Sequence, residues 1–376
     1  MQNRIADQNS LTTSPKILQS CLSTSWGGLE MVAYENAMAL AKNGTPCTTL
    51  CFENSPLEKN LQIQGLPTIS LSKHSFFDFL KIRHYIQDHG IQTLLIQHLK
   101  DLRLLAMATI SLPDIEMIAI SHTLVGIDKK DFLHRWTYSK LKKLICLTEL
   151  HKANLLEHLP VSPQQLVVIP NYVDCDHYSA KHRSEKVRES LGAKPGIPLI
   201  GIASRLDPQK GQETALEAMA LLKKKNIRLQ LVIVGENTRG ELNYLDILKK
   251  KTAELDLQDC VHFTGYRQDM ADIMASLDAL VMPSYCETFG RVLIEAMASK
   301  TPIIATRAGG VPEIINADTL GLLVSPQNPE ELAEAMAKIA TDPQLRTQLS
   351  ERAYFKVRST YAKDVVENKL FTLLAD

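Results

Sequence analysis

No run in the chain reaches the roughly eighteen apolar residues a membrane-spanning helix needs, and the opening MQNRIADQNSLTTSP has no apolar block of the kind a secretory signal carries. The expectation is a cytoplasmic protein. Net charge is missing too: among 376 residues, 42 lysines and arginines meet 42 aspartates and glutamates, so any affinity for anions has to be built locally. That argues against a nucleic-acid partner and allows at most peripheral contact with a membrane. The sequence has no H-E-x-x-H, no calcium-loop pattern and no clustered histidines, which predicts a protein without a metal. No G-x-G-x-x-G with a downstream acid appears, so an NAD enzyme is disfavoured. The seven cysteines (21, 47, 51, 146, 175, 260, 286) form no CxxC pair and fall mostly in apolar runs, so they read as reduced, buried thiols rather than a disulfide framework.

What is present is a steady alternation of short apolar runs with amphipathic stretches. KILQSCL (16–22), TPCTTLCF (45–52), TLLIQ (93–97), IEMIAIS (115–121), KLICLT (143–148) and LVVIP (166–170) read as strands of one sheet. PLIGIAS (198–204), RLQLVIVG (228–235), CVHFTGY (260–266), DALVM (278–282) and TPIIAT (301–306) read as strands of a second. Helices fall between them, so the predicted class is α/β, with two Rossmann-like, doubly wound parallel sheets in a chain long enough for two domains. The expected boundaries are a polar tail over 1–14, a first domain over 15–180, a charged connection over 181–196, a second domain over 197–357 and an amphipathic closing helix over 358–376. In SKHSFFDFLKIRHY (72–85), Phe76, Phe77 and Leu80 are assigned to core packing rather than to a membrane surface.

The most informative stretch is PSYCETFGRVLIEAMASKTPIIATRAGGVPE, Pro283 to Glu313. Glu287 falls in a strand-to-helix loop, Gly290 permits close backbone approach at the helix start, and Glu295 lies one to two turns inside. Two carboxylates then bracket a helix end whose unpaired N–H groups and positive dipole suit a phosphate, with hydroxyl-rich groups bonded to the carboxylates on either side. Glutamates on a solvated helix face are the plain alternative. In RLDPQKG (205–211), Arg205 and Lys210 stand at the mouth of a strand-to-helix loop, either as a fork and a point charge for phosphate or as ordinary surface charges. STSWGGLE (23–30) offers a backbone cradle for an anion, or any tight turn, and Trp26 beside it either stacks on a sugar or packs. His122 ends IEMIAIS at the carboxyl edge, where ligands bind in such sheets. In GIDKKDFLHRW (126–136), Lys129, Lys130, His134 and Arg135 read as a solvated helix start or as a patch that binds an anionic acceptor.

Taken together, E-x7-E with Phe289 and Gly290, GGVPE (309–313), R-x4-K-G (205–211) and N-x-V-D-x-x-x-Y (171–178) resemble the family 4 glycosyltransferases of the GT-B fold, over nearly the whole chain from Lys16 on. The resemblance implies an active site in the cleft between two Rossmann-like domains. It implies a retaining enzyme that moves a sugar from a UDP-, GDP- or ADP-linked donor to a hydroxyl of a saccharide or lipid-linked acceptor, in surface polysaccharide, lipopolysaccharide or glycolipid synthesis. Catalytic roles then go to Arg205, Lys210, Glu287 and His122. Donor contacts go to Gly27, Gly28, Arg205, Lys210, Tyr266, Arg267, Glu287, Phe289, Gly290 and Glu295, with no cofactor beyond the nucleotide sugar. Asp174-x-Asp176 has a spacing used elsewhere for metals, but it sits in the segment that ends the first domain in this family. A nucleotide-sugar 2-epimerase shares the architecture and needs no acceptor. A catalytically silent nucleotide-sugar-binding scaffold is the third reading, disfavoured by the complete set Arg205, Lys210, Glu287 and Glu295.

Overall fold

The computed structural model describes residues 15–72, 77–112, 114–237 and 243–375. Its first sheet contains β1 (Ile17–Cys21), β2 (Cys47–Phe52), β3 (Thr68–Leu71), β4 (Thr93–Ile96), β5 (Glu116–Ile120), β6 (Leu141–Cys146) and β7 (Leu166–Val168), in the order β3-β2-β1-β4-β5-β6-β7. Ile17 lies beside Cys47 on one side and Thr93 on the other, in parallel register. The second sheet contains β8 (Leu199–Ala203), β9 (Gln230–Val234), β10 (Val261–Gly265), β11 (Ala279–Met282), β12 (Ile303–Thr306) and β13 (Leu322–Val324), in the order β10-β9-β8-β11-β12-β13, also parallel. The expected α/β class with two doubly wound sheets is what the chain adopts. Strand order reverses beside β1 and beside β8, the places where open α/β sheets leave a crevice at their carboxyl ends.

Central strands are legible because both of their faces are covered: every residue of β1, β4, β9, β11 and β12 is buried. The edge strand β3 is different. Only Leu71 of TISL is buried, so no continuous apolar run marks it, and the sequence reading passed over it together with the preceding helix Pro56–Ile63. That helix is set by local chemistry: Ser55 accepts a hydrogen bond from Glu58 N at 3.2 Å, and Pro56 opens the first turn.

The chain divides into two compact units, one of residues up to Ile145 with Leu155–Val167 and the end from Leu370, the other of Cys146–Asn154 and Val168–Lys369. These limits differ from the expected ones. Val173 donates to Tyr361 O at 2.9 Å, which ties the stretch after β7 into the second unit. The charged segment 181–196 is no loose connection, because Arg183 and Arg188 reach the two oxygens of Asp278 at 3.0 and 3.1 Å. Burial pushes the Asp278 carboxyl up, but the Leu199 N–H and the two guanidinium groups outweigh it and hold the group below its ordinary range. The closing helix starts at Lys363, after a separate long helix Pro343–Thr360, and only its residues from Leu370 belong to the first unit. Phe77 and Leu80 are 64% and 40% exposed, so the core assignment fails for both; Phe76 lies outside the described residues. All seven cysteines are unpaired, and Cys286, next to Glu287, is exposed rather than buried.

Candidate functional site

Three loops at the carboxyl edge of the second sheet, after β8, β11 and β12, are fastened to one another through their backbones. Gly211 has φ +70°, and a Cβ there would lie 2.0 Å from the Pro283 carbonyl oxygen, so a side chain is excluded twice over. Next to it, Tyr285 N donates to Gln209 O at 2.8 Å. Gly309, at φ +55°, would place a Cβ 1.9 Å from Glu287 O, and Gly310 N donates to that oxygen at 2.9 Å. The glycines of QKG and GGVPE thus hold the backbone on which Glu287 stands.

Onto this frame the sequence places two ion pairs. Lys210 Nζ lies 2.8 Å from Glu287 Oε2, with the two side chains 21% and 19% exposed. Gly290, at φ +85°, caps the helix Arg291–Ala298, and Arg291 Nε lies 3.2 Å from Glu295 Oε1 on the next turn. Both carboxylates of E-x7-E therefore have a basic partner. The sequence reading missed Arg291, although an i,i+4 Arg–Glu spacing on a helix is a legible signal. Arg205 is exposed at the start of the same loop as Lys210, with its carbonyl held by Gln212 Nε2 at 2.8 Å. Cations that can turn to an incoming diphosphate and carboxylates that can accept from hydroxyls are thus gathered at a helix start.

Other expected donor contacts are placed differently. Phe289 is 2% exposed and packs edge-to-face on Tyr361, with ring centroids 5.8 Å apart, so its ring belongs to the core. Arg267 grips Asp269 through both guanidinium edges, Nε to Oδ1 at 2.7 Å; each partner shifts the other, the arginine up and the aspartate down. Tyr266 is exposed, and its N–H donates to Glu236 Oε1 at 3.2 Å. Glu236 went unmarked in the sequence, as did the role of Glu313, whose two oxygens accept from Glu149 N and Leu150 N at 2.8 and 2.7 Å and cap the helix Glu149–His158. Asp174 accepts from the N–H groups of Asp176 and His177 in a turn, while Asp176 pairs with Arg358 at 3.4 Å.

In the first unit, Gly27 caps the helix Gly28–Lys42 and its N–H donates to Glu30 Oε2 at 2.8 Å, while a Cβ on Gly28 would meet nothing within 4 Å. The cradle is open above Gly28. Trp26 packs edge-to-face with Tyr34, their centroids 6.3 Å apart. His122 lies two residues beyond β5, at the carboxyl edge. The basic group of 129–135 is not brought beside it. Lys129 N donates to His158 O at 2.8 Å, at the far end of a ten-residue helix that begins at the carboxyl edge. A helix of that length spans about 15 Å, so Lys129, Lys130, His134 and Arg135 belong to the amino-edge side of the sheet.

Two family descriptions match the chain: "Glycosyltransferase Family 4" over residues 26–177 and "Glycosyl transferases group 1" over residues 183–356. Among curated proteins, the D-inositol 3-phosphate glycosyltransferase of Corynebacterium jeikeium (strain K411) is 32% identical over 216 residues, 56% of this chain and 52% of that protein. The protein of the same name from Streptomyces bingchenggensis (strain BCW-1) is 30% identical over 217 residues, 56% of this chain and 48% of that one. The chain thus spans about half the length of the curated relatives it matches. Among solved structures, a glycosyltransferase from Rickettsia africae ESF-5 has a TM-score of 0.88 at 24% identity, covering 96% of this chain and 98% of that one. HepE from Anabaena, in complex with UDP and glucose, has a TM-score of 0.84 at 21% identity, covering 96% and 100%. These likenesses show the fold, the two-sheet GT-B architecture.

Proposed function

This chain belongs to the group 1, family 4 glycosyltransferases, and on that premise we propose that it transfers a sugar from a nucleoside diphosphate donor to a hydroxyl acceptor, with the donor's anomeric configuration retained. The observation that carries the reading is the Lys210–Glu287 pair, 2.8 Å apart beside the capped helix start at Gly290. Lys210 turns to the diphosphate, with Arg205 as a second cation, and Glu287 accepts from sugar hydroxyls. Glu295, held by Arg291, accepts from the ribose. As the bond from the anomeric carbon to phosphate breaks, its electron pair leaves with the phosphate oxygen, and charge grows where the two cations stand. The acceptor oxygen bonds to the anomeric carbon on the same face, and its proton goes to that phosphate oxygen. Roles for Gly27, Gly28 and His122 at the sugar rest on the family resemblance. The cations take the place a metal would fill, so the reaction proceeds without one.

UDP and glucose, held by HepE, and D-inositol 3-phosphate, named for the curated relatives, are the first donor parts and acceptor to try, followed by saccharide and lipid-linked acceptors. The test is incubation with UDP-, GDP- and ADP-sugars, with and without acceptor, and separation of the products. Release of nucleoside diphosphate with a new glycoside is the expected result. Conversion of a donor into its isomer with the diphosphate intact would replace transfer by 2-epimerisation, and binding without turnover would leave a scaffold.

A further inference from the structure

The segment from Ile127 to Arg135 shows a combination that core packing does not explain. Phe132 is 85% exposed and Ile127 75%, with Leu133 at 42%, all within seven residues. Between and beside these apolar side chains stand Lys129, Lys130 and Arg135. Neither lysine ammonium has a carboxylate partner among the described residues, and Arg135 spends only its Nε, on Lys130 O at 2.8 Å. Asp131 is used internally, since Oδ1 accepts from Leu133 N and His134 N and Oδ2 pairs with His134. Between 126 and 143 there are six lysines and arginines (129, 130, 135, 140, 142, 143) against two aspartates (128, 131), and of the six Lys142 is paired with Glu116 at 2.7 Å. Lys130 and Arg135 also line an open cleft of about 550 Å³, whose far wall is Leu156, Leu159, Ser162 and Gln165.

We propose that this surface docks the first unit onto an anionic lipid membrane, with Phe132 and Ile127 entering the headgroup boundary and Lys129, Lys130 and Arg135 meeting lipid phosphates. Apolar tips flanked by uncompensated cations are what such a boundary rewards, because the tips leave water while the charges stay at headgroup level. A second copy of the chain fits less well: a two-fold contact would set this patch against itself, cation facing cation. The proposal stands on the first unit alone and does not depend on sugar transfer.

The test is co-sedimentation of the full chain with phosphatidylcholine vesicles, plain or with about 30% phosphatidylglycerol, at about 0.1 M salt. Binding to the phosphatidylglycerol vesicles and not to the plain ones is expected. Lys129→Gln with Lys130→Gln should lower partitioning roughly twenty-five-fold, at about fivefold per charge. Phe132→Ser with Ile127→Ser should abolish it without altering charge, and Lys249→Gln with Lys250→Gln, on a helix of the other unit, should leave it intact. Phe132→Trp keeps the apolar bulk and should blue-shift in fluorescence when the anionic vesicles are added. Equal binding to both vesicle types, binding kept in the serine and glutamine variants, or no fluorescence shift would each overturn the proposal. So would a dimer in lipid-free buffer that Phe132→Ser converts to monomer.

Discussion

Glu287→Gln separates two jobs proposed for one carboxylate, restraining Lys210 and holding the sugar. In the resting structure Glu287 Oε2 holds Lys210 Nζ at 2.8 Å, so a diphosphate has to compete with it for the ammonium. Both side chains are about one-fifth exposed, which places the pair near the upper end of solvent-screened ion pairs, at about 1 kcal/mol. Glutamine keeps the shape and removes the charge. Lys210 is then released to the phosphates, and a nucleoside diphosphate should bind about fivefold tighter. The sugar loses a charged acceptor worth about 1.5 to 3 kcal/mol, so turnover of the whole nucleotide sugar should fall by roughly ten- to a hundredfold. Titration calorimetry with UDP, GDP and ADP gives the first quantity, and initial rates of nucleotide release give the second. Weaker diphosphate binding in the variant, or turnover left unchanged, would refute the idea that Glu287 serves the sugar and restrains Lys210.

Glu295→Ala removes the proposed ribose acceptor and should weaken nucleotide binding about tenfold or more by calorimetry; unchanged affinity would take Glu295 out of the site. Arg205→Ala, lacking a donor at the growing phosphate charge, should lose about a hundredfold to a thousandfold in kcat with a smaller rise in donor KM. A change confined to KM would make Arg205 a ground-state binder only. Turnover should survive EDTA. If chelation abolishes it and magnesium or manganese restores it, the cations at Arg205 and Lys210 do not replace a metal.

Much of the fold was legible because parallel strands covered on both faces are written as short apolar runs, as DALVM and TPIIAT are. TISL escaped because an edge strand with one buried residue carries no such run. At the site, glycines were the reliable signal: Gly211 and Gly309 press against carbonyl oxygens of distant residues, a constraint that leaves its mark in composition. Side chains were less readable, because a residue's partner is not visible in its identity. Phe289 belongs to the motif yet packs on Tyr361, and Arg267 follows the right strand yet is taken by Asp269. Glu313 closes GGVPE and caps a helix that begins 164 positions earlier, a pairing that no local pattern announces. The basic group at 129–135 looked adjacent to His122 in sequence, but Lys129 N bonds to His158 O at the far end of the helix Glu149–His158, away from the carboxyl edge where His122 stands.

The most direct test of sugar transfer with retention is a proton NMR time course of an α-linked nucleotide sugar with the protein and acceptor. Nucleoside diphosphate and an α-glycoside should rise together, with no isomerised donor. A β-linked product would contradict retention and the role of the leaving phosphate as base; a donor isomer that accumulates with its diphosphate intact would contradict transfer itself.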